Sequence, residues 1–126
     1  MKRYLILLVM LAASYGRDLP LQLAPKSAGA KINPYAGVPD AKQAGAKLFR
    51  RTCAECHGQN AEGGRNAPAL KSRRVQQAPP GALLWVLRNG SITRGMPSFS
   101  DVPEPRLWQI ITYLQSLGDA DSQARP

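Results

Sequence analysis

The chain has two cysteines and one histidine, and all three stand within Cys53-Ala54-Glu55-Cys56-His57. Thiols separated by two residues can each add to one vinyl group of a haem. The histidine directly after them then falls where an imidazole can ligate the iron. Other uses of the pair fit less well. A structural zinc ion asks for four Cys or His ligands, usually in two separated pairs, and no second pair exists. A thioredoxin-type dithiol belongs beside a strand-helix-strand pattern, and no run of alternating or β-branched residues accompanies this one. A small disulfide, or two buried thiols with a chance histidine behind them, is the plain alternative.

Iron held by one imidazole raises the question of a second axial ligand. Of three methionines, Met1 and Met10 lie in an apolar N-terminal run, which leaves Met96 in Arg94-Gly95-Met96-Pro97, 39 residues beyond His57. Gly95 permits close backbone approach and Pro97 stiffens the exit. A thioether opposite imidazole favours ferrous iron, raises the reduction potential and closes the sixth position to small molecules. The bland alternative for Met96 is a loop or core filler. A metal-bound histidine generally donates its other ring N–H to a carbonyl or carboxylate. Pro68, one short loop after His57, offers such a carbonyl.

These groups need elements to position them. A helix is expected from Asp40, as N-cap, with Gln43 completing a capping box. Ala41, Ala44, Gly45, Leu48 and Thr52 share one face, and the last turn runs into Cys53. Gly45 costs ~1 kcal/mol relative to alanine inside a helix, which close approach of another helix would offset. A second helix begins near Pro80, carries Leu83, Leu84, Val86 and Leu87, and stops at Asn89-Gly90. A third is announced by Pro103 and Pro105, places Leu107, Ile110, Ile111, Leu114 and Leu117 on one stripe, and is expected to end at Gly118. Helices joined by Gly/Pro loops make an all-α domain, and a bound haem would supply the core that so short a domain lacks.

Outside residues 40–118 the character changes. Met1-Lys2-Arg3 followed by the apolar run Tyr4 to Ala13 and small residues to Gly16 reads as a signal peptide over residues 1–16. An uncleaved anchor is the alternative, although the run falls short of the ~20 apolar residues a spanning helix needs. Export fits the motif, because haem is attached to such thiols outside the bacterial cytoplasm, so a periplasmic or exported protein is expected. Residues 17–39, with Pro20, Pro25, Gly29, Pro34, Gly37 and Pro39, read as an extended lead-in, either a flexible spacer or a segment that wraps the domain, and residues 119–126 as a polar tail. The formal charge is +9. Basic residues are scattered, without a run interleaved with aromatics, which favours docking to acidic protein partners over nucleic acid.

With these residues in hand, the chain resembles the monohaem class I cytochrome c family from about Asp40 to Gly118. Gly45, Phe49 and Cys53 match the four-residue spacing of that family's first helix, and Ile110 and Tyr113 match the apolar-x-x-aromatic pair of its last. The resemblance implies a class I cytochrome c-like fold of three or more helices around one covalent haem c. Cys53, Cys56 and His57 would form the attachment site, Met96 the distal ligand and Pro68 the loop proline. Arg73, Arg74, Arg94, Trp85 and Trp108 are candidates to hold the haem propionates. The implied function is not catalysis but one-electron transfer between redox partners, by a monomer that meets a membrane only if its N-terminal segment is retained. A dedicated subunit of a periplasmic dehydrogenase or respiratory complex is the alternative. A haem enzyme or gas sensor would require an open iron position.

Overall fold

The structure, a computed structural model, describes residues 19–124, with side chains described for residues 20–118. The signal peptide expected at residues 1–16 lies outside the described residues. Seven α-helices are described: α1 (Leu19–Gln22), α2 (Lys26–Gly29), α3 (Pro39–Thr52), α4 (Ala54–His57), α5 (Arg73–Gln77), α6 (Pro80–Asn89) and α7 (Glu104–Ala124), with one 3-10 turn at Ile92–Arg94. Among the described residues no strand occurs. An isolated antiparallel bridge joins Ser91 to Met96.

The crossing of α3 and α7 is the main packing contact of the fold. Helix α3 begins at Pro39, preceded by Val38, whose side chain cannot cap. Asp40 is therefore not the N-cap. It lies in the first turn, where a carboxylate still complements the helix dipole. Burial on α3 runs Ala41, Gly45, Phe49, a stripe of four-residue spacing that continues into Cys53. Ala44 and Leu48 are only half-buried and Thr52 is exposed, so the buried face is rotated by about a residue from the expected one. Gly45 is required by the crossing itself. A β-carbon there would run into the carbonyl oxygen of Gln109 and stand 3.0 Å from the Tyr113 β-carbon. One turn further on, the Phe49 and Tyr113 rings pack tilted, with centroids 5.4 Å apart.

The expected stripe on α7 is in place: Leu107, Ile110, Ile111 and Leu114 are buried. Gly118, however, does not end the helix, which continues to Ala124. Its missing side chain serves a different purpose. The Gln76 amide donates to the Leu114 carbonyl at 2.8 Å, and its oxygen accepts the Gly118 N–H at 3.0 Å. These are the two groups of one helical rung, and a β-carbon on Gly118 would collide with the Gln76 side chain. Residues 119–124, expected as a tail, continue this helix.

The lead-in is also more structured than its composition suggests. Helices α1 and α2, each only four residues, rest on α6. Gly81 of α6 meets the Ala28 carbonyl so closely that no β-carbon fits. Asn33, buried, donates to Thr112 Oγ1 at 2.9 Å and accepts the Tyr35 N–H at 2.9 Å. Residues 19–35 thus form a strap folded onto α6 and α7. Two single turns between prolines are too short to leave a periodic signal, which is why the segment reads as extended in sequence. A groove of about 560 Å³ separates strap and α6, lined by Lys31, Gly81, Trp85, Arg88 and Asn89.

Candidate functional site

Cys53 closes α3, its N–H bonded to the Phe49 carbonyl at 2.8 Å, and its own carbonyl starts α4 by accepting the His57 N–H at 3.0 Å. One helical turn therefore carries both thiols and the imidazole. The cysteines are unlike: Cys53 is 8% exposed within the Phe49, Ala54, Ala61, Ile110 and Leu114 cluster, whereas Cys56 is exposed. Burial, with the neighbouring Cys56 adding to it, pushes the Cys53 thiol up to about 11. A neutral sulfur suits that pocket far better than a thiolate does. The structure draws no disulfide between Cys53 and Cys56. Among the described residues no three His, Cys, Asp or Glu side chains are gathered to hold a metal ion, so a zinc site made only of protein ligands is not built either.

The His57 ring is oriented from behind. Its Nδ1 lies 2.9 Å from the Pro68 carbonyl oxygen. A carbonyl only accepts, so the bond places the proton on Nδ1 and leaves the Nε2 lone pair available for a metal. The Pro68 expectation is therefore met. The loop that returns the chain from His57 to Pro68 is tightly folded. Gly63 N–H bonds the His57 carbonyl at 2.7 Å, Gly64 N–H the Ala67 carbonyl at 2.9 Å, and Leu70 N–H the Ala61 carbonyl at 2.9 Å. Ala61 adopts φ 58° while fully buried, a left-handed conformation that costs ~1–2 kcal/mol for a residue with a side chain, offset here by its methyl filling the Cys53 cluster. Glu62 folds over the loop start and accepts the Asn60 N–H at 2.8 Å. Its own N–H and that of Asn60 hold its carboxyl below the usual range, with Lys71 assisting.

Met96 is carried on the opposite half of the core. Its N–H and carbonyl pair with Ser91 at 3.1 and 2.9 Å, which pins a loop whose turn passes through Gly95 at φ 86°. Phe99 N–H and Ser98 Oγ clip the loop exit to the Leu87 and Arg88 carbonyls at the end of α6. Met96 is half-buried against the cluster of Val75, Leu83, Leu84, Leu87, Leu107, Trp108 and Ile111. Leu70, two residues past Pro68, packs against both this cluster and that of Cys53. The attachment turn and the methionine loop thus sit on two half-cores joined through Leu70.

The candidates for propionate contacts divide. The Trp108 indole donates to Glu104 Oε1 at 3.3 Å, and Trp85 lines the strap groove. Arg73, Arg74 and Arg94 are exposed. Glu104 also pairs with Arg88 at 2.6 Å and Lys31 at 3.6 Å, so Trp108 is committed to an ion-pair cluster. Sequence reasoning missed Gly63, Gly64, Glu62 and Gln76. Only the Gly-Gly doublet ahead of Pro68 was a visible signal.

The donor set fits a covalently held haem: two thiols and an imidazole on one turn, the imidazole's Nδ1 already engaged by Pro68, and a thioether on a pinned loop. Comparison with known proteins points the same way. The family model described as cytochrome C oxidase, cbb3-type, subunit III matches residues 40–114. Cytochrome c550 of Pseudomonas aeruginosa is 34% identical over 90 residues, covering 67% of this chain and 61% of that protein. The cbb3-type cytochrome c oxidase subunit FixP of Sinorhizobium medicae is 34% identical over 93 residues, 66% of this chain and 32% of FixP. The quinohemoprotein alcohol dehydrogenase ADH-IIG of Pseudomonas putida is 38% identical over 73 residues, 57% of this chain and 10% of that enzyme. The chain spans less than two thirds of each of these relatives. In structure it is similar to cytochrome CL of Methylophaga aminisulfidivorans, with a TM-score of 0.57 at 22% identity, over 74% of this chain and 70% of that one.

Proposed function

The chain belongs to the class I c-type cytochromes, all-α electron carriers with covalently attached haem c, and on that premise we propose that it is an exported single-haem carrier working in the periplasm. Cys53 and Cys56 would hold the haem covalently through their sulfurs, and His57 Nε2 and Met96 Sδ would be the groups that hold its iron. The haem supplies reversible one-electron exchange between ferric and ferrous iron. With His57 and Met96 both offered to the iron, the chain would shield it from water and limit rearrangement between the two oxidation states.

The observation that carries this reading is the 2.9 Å bond from His57 Nδ1 to Pro68 O on the turn that bears both thiols. It supports an imidazole already turned to ligate through Nε2. Protein purified from a host able to mature c-type haem is expected to be coloured, with a Soret band that survives denaturation and acid-acetone extraction. A colourless product, or haem that extracts freely, overturns the reading.

As to partners, the family acts with redox proteins or as part of dehydrogenase and oxidase assemblies. For this chain we favour a monomer that docks on acidic surfaces, given a formal charge of +9 of which only Lys2 and Arg3 lie in the expected signal peptide. The second reading, a dedicated subunit, draws on FixP and ADH-IIG, where the matched region is a fraction of a larger protein. Co-purification with a large catalytic subunit under native conditions supports that reading over a free shuttle. No helix among the described residues is long and apolar enough to cross a membrane.

A further inference from the structure

We propose that Gly63 and Gly64 form a wedge that sets the strength of the His57–Pro68 hydrogen bond, and through it the electron density the imidazole offers its metal. The inference rests on His57 being the ligand proposed above. Gly63 stands between the two partners. On one side its N–H bonds the His57 carbonyl at 2.7 Å. On the other it abuts the peptide whose oxygen accepts the His57 proton: a β-carbon on Gly63 would lie 2.7 Å from the Ala69 nitrogen and 3.1 Å from the Pro68 carbonyl carbon.

Gly64 performs the same office one residue on. A β-carbon there would lie 2.8 Å from the Cys56 carbonyl oxygen, while its N–H ties down Ala67, directly before Pro68, at 2.9 Å. Both contacts are with backbone, which cannot rotate away as a side-chain tip can. The doublet is therefore a spacer of minimal thickness between the attachment turn and the Pro68–Ala69 peptide. Any side chain on it spreads the two apart, and hydrogen bonds weaken steeply with length and misalignment.

Weakening this bond has a definite electronic sign. An N–H that donates strongly makes the imidazole a better electron donor and favours ferric iron; loosening it favours ferrous iron and raises the potential. Gly63 and Gly64 are thus positioning residues that act through His57.

The test compares Gly63→Ala, Gly64→Ala and Gly37→Ala in the full-length haem-bearing protein. Gly37 has φ +74°, close to the +90° of Gly63, but nothing within 4 Å of an added β-carbon, so it reproduces backbone strain without the push. Gly64 has no left-handed φ, so its variant carries the push without the strain and serves if Gly63→Ala fails to mature. The readouts are midpoint potential and, by NMR of the reduced protein, exchange of the His57 Nδ1 proton with solvent. The Gly63 and Gly64 variants are expected to raise the potential and speed exchange about tenfold, the order expected for loss of an ordinary hydrogen bond. Gly37→Ala is expected to move neither. Potential and exchange unchanged in haem-loaded Gly64→Ala, or shifted equally in Gly37→Ala, overturn the wedge. Wild-type protein without haem would instead overturn the ligand assignment beneath it.

Discussion

At the scale of single residues, the two axial candidates differ in how the protein holds them. His57 is oriented by a specific bond to Pro68, whereas Met96 is placed by the backbone pairing of its loop and by partial burial. Met96→Ala should therefore leave the attachment turn intact, open the iron to carbon monoxide in the reduced state and lower the potential. Spectra and potential unchanged from wild type would remove Met96 as a ligand. Cys53 gives a pH-dependent expectation. Its folded-state value, raised from 9.0 to about 11, means that the stability gained by keeping the thiol neutral is complete below pH 9 and is lost as pH rises through the folded value. Once the sulfur is a thioether this alkaline loss cannot occur. In the haem-free chain at neutral pH, Cys56 should alkylate much faster than Cys53, and urea should erase the difference. Equal rates without urea would mean that the Cys53 pocket forms only around the haem. The residues of the candidate site stand out in the sequence because they are scarce: one histidine, two cysteines and a lone methionine beyond the N-terminal run admit few pairings. The wedge and Glu62 were not legible, because their roles depend on which peptide a loop folds against, and no spacing encodes that.

At the scale of elements, the α3–α7 crossing depends on Gly45. Gly45→Ala would force the Gln109 backbone aside, and overpacking of this kind costs ~1–3 kcal/mol or more. Chemical denaturation of the haem-bearing protein should register that loss, with the midpoint falling and haem content preserved at low temperature. A variant as stable as wild type would mean that the helices slide apart at little cost. Helix α3, α6 and the apolar stripe of α7 could be read in sequence, since each spans enough turns for periodicity to emerge. Their ends could not. Asp40 looked like a cap, but Pro39 already provides the fixed φ of a first helical residue. Gly118 looked like a terminator, and only the side chain of Gln76, 42 residues away, explains why a glycine stands mid-helix. Four-residue helices such as α1, α2 and α4 lie below what any periodic pattern can reveal.

At the scale of the whole molecule, charge governs encounters with partners. Lys42, Lys47, Arg50 and Arg51 all lie exposed along α3 with only Asp40 and Glu55 as nearby acids in sequence, while Glu104 is shared between Lys31 and Arg88. Electrostatic steering decays with the Debye length, ~10 Å at 0.1 M ionic strength. Electron transfer to an acidic partner should accordingly slow several-fold between low and physiological salt in stopped-flow measurements. Rates indifferent to salt would argue for docking through apolar contact, for which Ile92, 68% exposed beside the methionine loop, is the obvious group.

The strap has a practical corollary for anyone who would transplant this module. The family model matches from residue 40, and a designer would naturally cut there. Such an excision would strip the covering from Gly81, delete the buried Asn33 amide that Thr112 relies on, and bare one flank of α6 to solvent. A portable unit has to carry the strap from at least Leu19, well ahead of the point where the family match begins.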